Sequence, residues 1–162
     1  YGLEYVGLRY MNVYGPRQDY SGAYIAVIMK MLDAIDNGSS PTIFGDGSEA
    51  FDFVSVEDCA MANICAMESN ANDSFYNVGT GIRHSLKELA EIIIELTECK
   101  KEIKYASRSQ ATLVKNRIGC PIKANKEINF KAKVELKKGL LDLIKWRNTH
   151  KAEVEAKRLK AK

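Results

Sequence analysis

Large apolar residues alternate with smaller or charged ones near the start of the chain. Val6, Leu8 and Tyr10 are separated by Gly7 and Arg9. That period of two predicts a strand end over residues 6–10. Tyr14-Gly15-Pro16 stops it, because proline has no N–H for a ladder. Asn12 then sits where strand gives way to loop. In an α/β sheet the carboxyl edge of a strand is where ligands bind; a plain turn residue is the other reading of Asn12. The period changes next. Ala23, Ile25, Ala26, Val27, Ile28, Met29, Met31, Leu32, Ala34 and Ile35 predict a helix over 23–36 that is apolar on nearly every face. Such a helix is buried on most sides, and Asn37-Gly38 closes it.

Further along, residues 41–44 and 51–54 read as strands around a Gly45-Asp46-Gly47 turn. Ser55 followed by Asp58 and Ser85 followed by Glu88 are helix-start boxes. A helix through Met67, a strand over 75–78 and a helix carrying Leu86, Leu89, Ala90, Ile93 and Leu96 follow from them. A short strand over 103–105 precedes a polar loop over 106–120. Pro121 opens a short helix to Ile128. Leu136, Leu140, Leu143 and Ile144 predict a last packed helix ending near Trp146. Beyond His150 only Val154 and Leu159 are large and apolar, so a solvated, fraying helical tail is expected, with Glu153 and Lys157 paired on one face.

The chain's 162 residues suffice for one domain with a real core. A net charge of +3 gives no argument for nucleic acid, and no apolar run is long enough to cross a membrane. No basic-then-apolar leader opens the chain, and it lacks an initiator Met, so position 1 reads as a cut inside a longer protein. Cys59, Cys65, Cys99 and Cys120 have no Cys-x-x-Cys spacing. Buried, reduced thiols in a cytoplasmic protein are expected, and no metal site.

Three blocks stand out: Leu-Arg-Tyr-Met-Asn-Val-Tyr-Gly-Pro-Arg-Gln at 8–18, Ile-Phe-Gly-Asp-Gly-Ser-Glu-Ala-Phe-Asp-Phe-Val-Ser-Val-Glu-Asp at 43–58, and Phe-Tyr-Asn-Val-Gly-Thr-Gly at 75–81. Together they resemble the signatures of the extended short-chain dehydrogenases, the NAD-dependent epimerase/dehydratase family typified by UDP-glucose 4-epimerase. Their order and spacing match over residues 1–148. The resemblance implies an α/β fold: the C-terminal part of a doubly wound, Rossmann-type sheet plus the small substrate-binding lobe. Residues 149–162 form a charged tail. It implies a nucleotide sugar, UDP-linked, as partner, NAD as cofactor and a homodimer.

By the same resemblance Asn12 meets the sugar diphosphate, Thr42 and Phe44 hold the nucleobase, Val27 packs near the nucleotide, and Arg108 is the phosphate arginine. Each has a plainer reading: an edge strand with a core aromatic for Thr42 and Phe44, core packing for Val27, a solvated loop charge for Arg108. The family's Arg-Asp-Phe stands here as Phe51-Asp52-Phe53. Phenylalanine cannot grip a diphosphate, so Arg108 or Arg117 replaces that grip, or the grip is weaker, or the substrate differs. Arg9 reads as a partly buried structural charge paired with Asp58.

The chemistry of the family needs a Tyr-x-x-x-Lys pair and a glycine-rich turn for NAD. None of the eight tyrosines has Lys four residues on. Neither Gly45-x-Gly47 nor Gly79-x-Gly81 has the fingerprint spacing. The chain is therefore expected to hold no catalytic residue and to bind substrate for an epimerase whose chemistry lies elsewhere. A 4,6-dehydratase or decarboxylase, or a noncatalytic nucleotide-sugar-binding protein, shares every block present. If a half is missing, the helix over 23–36 and the strand over 6–10 should be exposed and drive self-association.

Overall fold

The computed structural model describes residues 2–18, 27–107 and 114–160. Its elements run β1 (Val6–Tyr10), β2 (Asn12–Tyr14), α1 (Val27–Asp36), β3 (Thr42–Phe44), β4 (Ala50–Phe51), β5 (Phe53–Ser55), α2 (Val56–Glu68) and β6 (Ser74–Val78). Then come β7 (His84–Ser85), α3 (Leu86–Thr97), β8 (Lys104–Ala106), β9 (Asn116–Arg117), α4 (Ile122–Ile128), α5 (Leu136–Thr149) and α6 (Lys151–Lys160). The class is α/β, as expected. β1 runs parallel to β6 with Leu8 opposite Tyr76, and β2 runs parallel to β5 with Asn12 opposite Phe53. β3 is parallel to β8. β4 lies between β7, antiparallel, and β9, parallel.

Alternation along the strands divides the interior in two. Tyr14 and Phe53 enter one core with Ile43 and the inner faces of α1, α3 and α5. Val13 and Val54 face the other, with Tyr76, Val78, Ala124, Ile128 and Phe130. The paired strands β2 and β5 are thus the wall between the cores.

Several expectations change here. Asn12 does not mark strand giving way to loop; it starts β2, and the strand continues to Tyr14. The described part of the expected long helix is not exposed. Ile28, Met29, Met31 and Leu32 of α1 are buried inside this chain. Neighbours that sequence spacing could not count, α3, α5 and α6, cover it. The tail is helical but docked. Val154 is buried, and Arg158 and Arg147 each reach both Asp33 and Asp36 on α1 at 2.6–2.7 Å. The expected Glu153–Lys157 pair forms at 3.5 Å, and Lys157 Nζ also donates to the Arg17 carbonyl. The cysteines are free, but Cys120 is exposed and Cys65 and Cys99 are only half-buried. Only Cys59 is fully inside, where burial, helped by the Asp58 carboxylate, pushes its thiol up to about 11.

The two helix starts differ. At α3 the box closes: Ser85 accepts from Glu88 N, and Glu88 Oε2 accepts from Ser85 N at 2.6 Å. At α2 Ser55 caps Glu57 N, but Asp58 turns inward. It is buried and accepts from the backbone N–H groups of Lys133 and Val134. Arg9 therefore has no access to it; Arg9 is exposed and lies 4.7 Å over the Phe75 ring.

The Tyr14 ring packs on Gly139 of α5 so closely that a Cβ there would collide with its hydroxyl. Gly139→Ala should destabilise the protein by about 1–3 kcal/mol through overpacking. The same hydroxyl is buried with no partner, so Tyr14→Phe should change stability by less than ~1 kcal/mol. Thermal unfolding of both variants checks the pair. The Ser85 N–H and hydroxyl hold the Glu88 carboxyl below its usual range. A depressed carboxyl stabilises above its unfolded pKa and loses that contribution as pH falls through the folded value. Glu88→Ala should therefore melt earlier than wild type at pH 7, and the two melting points should converge in acid.

Candidate functional site

Asp52 separates β4 from β5 and is fully buried. Its carboxylate accepts four hydrogen bonds: from Thr80 N at 2.9 Å, Thr80 Oγ1 at 2.6 Å, Gly81 N at 2.9 Å and Gly119 N at 3.3 Å. Bonds to an ionised acceptor are the stronger kind, and they satisfy a charge that could not otherwise be buried. Glycines make the close approach possible. A Cβ on Gly79 or Gly119 would press on Asp52 Oδ2 and Met11. The Asp52 backbone completes the junction: its carbonyl accepts from Asn12 N at 2.9 Å, and its N–H donates to the Arg117 carbonyl at 3.0 Å.

One residue therefore places two of the expected site residues. Asn12 lies across from Phe53, and Arg117 lies in register with Phe51 on the neighbouring strand β9. His84 is opposite Phe51 on the other side. Arg117 is exposed, and among the described residues neither its guanidinium nor the Asn12 amide makes a side-chain hydrogen bond. The position where the resemblance implies an arginine is thus flanked by a free guanidinium one strand away. Sequence reasoning placed Arg117 in a loop and missed β9. Two residues have no periodicity to detect.

Thr42 and Phe44 sit apart on β3. They flank Ile43, which is buried in the first core, so alternation turns both outward. Phe44 is 54% exposed and is not the core aromatic of the plainer reading. Val27, at the described start of α1, is partly buried against the first core, which fits its core reading. Ile43 and Phe51 share that core, so β3 and β4 both border it. Arg108 lies outside the described residues.

The glycine turns are filled by protein. Gly47 packs near Lys87, Gly79 against Asp52 and Gly81 against Pro121. Among the described residues, none of these three glycines stands as an open cradle for a pyrophosphate. Among the described residues no three His, Cys, Asp or Glu side chains converge to hold a metal ion. No described helix is long and apolar enough to cross a membrane.

In open α/β sheets ligands bind outside the carboxyl ends of the strands, and amide and guanidinium groups suit an anion. Residues 1–79 match the model of the NAD dependent epimerase/dehydratase family. The chain is 38% identical over 146 residues to a candidate UDP-glucose 4-epimerase of Methanocaldococcus jannaschii, covering 90% of this chain and 46% of that protein. The Thermotoga maritima UDP-glucose 4-epimerase, solved with UDP-glucose, superposes with a TM-score of 0.85 at 34% identity, over 92% of this chain and 47% of that one. The UDP-N-acetylglucosamine 4-epimerase of Methanobrevibacter ruminantium, solved with UDP-N-acetylmuramic acid, gives 0.85 at 38% identity over the same shares. The chain belongs to this family and spans about half the length of the relatives it matches.

Removing the junction should loosen both sides of the site. Asp52→Ala should cost about 3 kcal/mol or more, since several bonds to a charged acceptor are lost together. Amide exchange at Thr80, Gly81 and Gly119 should accelerate with it. Denaturant titration and hydrogen exchange check both effects.

Proposed function

We propose that this chain is the nucleotide-sugar-holding portion of an NAD-dependent UDP-sugar 4-epimerase. The reading rests on one observation: Asp52 ties Asn12 to Arg117, and Arg117 lies in register with Phe51. In this reading the Asn12 amide donates to the sugar diphosphate. Arg117 supplies the planar, two-pronged grip that Phe51 cannot. Phe44 offers an exposed ring to the nucleobase, with Thr42 beside it. Val27 packs behind the nucleotide, and Arg108 is a second candidate for the phosphates. The solved relatives' complexes with UDP-linked sugars support this assignment. NAD serves the hydride chemistry of the family, and this chain contributes neither the glycine turn nor the Tyr-x-x-x-Lys pair. Its own work is binding and orientation.

Calorimetry with UDP-glucose tests the phosphate grip. In a form of the protein that carries the Tyr-x-x-x-Lys pair, Arg117→Ala should weaken binding by about 1.5–3 kcal/mol, the value of a hydrogen bond to a charged group. Unchanged affinity would take Arg117 out of the site. The 162-residue chain by itself should show no turnover with NAD and UDP-glucose. Turnover above a buffer control would overturn the assignment of catalysis to residues outside it.

A further inference from the structure

The turn that leaves β2 is held in a conformation its own residues disfavour. Pro16 and Arg17 form its corner. Arg17 has a φ of 64°, the left-handed region that a turn with Pro before it gives to Gly or Asn. A residue with a long side chain stays there only where its surroundings over-determine it. The next residue is strained in another way. Gln18 Oε1 is buried and has no hydrogen-bond partner among the described residues, which is unfavourable for an acceptor. The turn stands at the carboxyl end of β2, the edge where α/β sheets bind ligands, and Gly15 follows Asn12 by three positions.

Two contacts hold this turn. At its start Gly15 lies against α2 so closely that a Cβ would collide with Val56. At its corner Lys157 Nζ donates to the Arg17 carbonyl at 2.9 Å, across 140 positions of sequence. Lys157 comes from α6, a polar ten-residue helix of a length that does not persist undocked. Lys157 and Arg158 lie three and four residues beyond Val154, so the three side chains share one face. Val154 is buried in the first core, and Arg158 reaches Asp33 and Asp36 of α1. Those two residues fix the helix. Lys157 spans from it to the turn, with Glu153 at 3.5 Å steadying its ammonium.

We propose that Lys157 is a positioning residue for the nucleotide-sugar site. It acts through the Arg17 carbonyl. Its ammonium holds the Pro16–Arg17 turn in the left-handed form, and the turn fixes where Gln18 and the end of the Asn12 strand stand. Lys157 itself touches no ligand. The charge cluster on α1 is the anchor of this arm: it docks α6, and α6 presents the lysine. That the turn shapes the site rests on the nucleotide-sugar reading; that Lys157 holds the turn does not.

Two measurements on Lys157→Ala, Lys157→Met and Lys157→Arg test this. The first is the NMR order parameter of the Arg17 and Gln18 amides in the 162-residue chain without ligand. Both should be near ~0.85 in wild type and fall below about 0.6 in the Ala and Met variants. The second is calorimetry with UDP-glucose, in the form of the protein that carries the Tyr-x-x-x-Lys pair. The Ala and Met variants should bind about fivefold or more weakly, the lower end of coupling between linked sites. Lys157→Arg keeps a donor and should match wild type in both measurements. Glu153→Gln removes the ion pair within α6 but not the bond to Arg17, and it should also match wild type. Unchanged order parameters in Lys157→Ala overturn the proposal, as does a looser turn with unchanged affinity. A Met variant that behaves as wild type overturns it too, because the stem and not the ammonium would then act. So does a loss in Glu153→Gln or Lys157→Arg as large as in Lys157→Ala, which would mark a general weakening of α6. Weaker binding in Arg117→Ala but not in Lys157→Ala sinks this inference and leaves the proposed function standing. Absence of UDP-glucose binding in wild type sinks the proposed function and with it the role in the site, while the order parameters still decide whether Lys157 holds the turn.

Discussion

A carboxylate with no access to water must be satisfied within the protein, and Asp52 meets that demand by drawing two segments onto itself. The turn after β6 supplies Thr80 and Gly81, and the stretch before α4 supplies Gly119. Its backbone meanwhile joins β2 to β9. Each of these segments is short. The glycines at 79 and 119 matter because any Cβ would occupy the space the carboxylate uses. The geometry of the candidate site is thus a by-product of burying one charge, and the two cores on either side of β2 and β5 exclude the water that would weaken it.

The second constraint is electrostatic and lies at the far end of α1. Arg147 is buried, and Arg158 is largely covered, around Asp33 and Asp36. Two cations and two anions in one cluster compensate each other, which a lone buried charge could not do. The cluster fastens α6 to α1, and Lys157 carries the attachment on to the carbonyl of Arg17 in the loop that follows β2. The chain's last helix therefore braces the segment that leaves Asn12. A tail that composition describes as solvated is part of the scaffold of the site.

The two apolar surfaces of the chain have opposite fates for the same reason. α1 is rich in large apolar residues, yet α3, α5 and α6 come from distant parts of the sequence to cover it. α2 is less apolar, yet its outer stripe and the neighbouring edge of β1 find no cover among the described residues. Hydrophobicity along the chain measures how much surface needs burial. It does not say whether the covering element is present.

Local signals determined a good deal of this protein. Alternation at Val6, Leu8 and Tyr10, the hydroxyl-to-acid box at Ser85 and Glu88, and helical spacing through Leu86, Leu89 and Ile93 each specify one element, because the interactions they reflect act over three or four residues. The three ordered blocks carried the family. What the tertiary structure alone decided involves residues far apart in sequence. Asp58 abandoned its helix cap for the N–H groups of Lys133 and Val134, which lie 75 and 76 positions away. Arg9 found a ring rather than a carboxylate. Arg117, in a stretch with no periodicity, came into register with Phe51 because the Asp52 N–H needed an acceptor. Long-range partners leave no repeat in the chain; they are chosen by which buried polar groups remain to be satisfied when the strands come together.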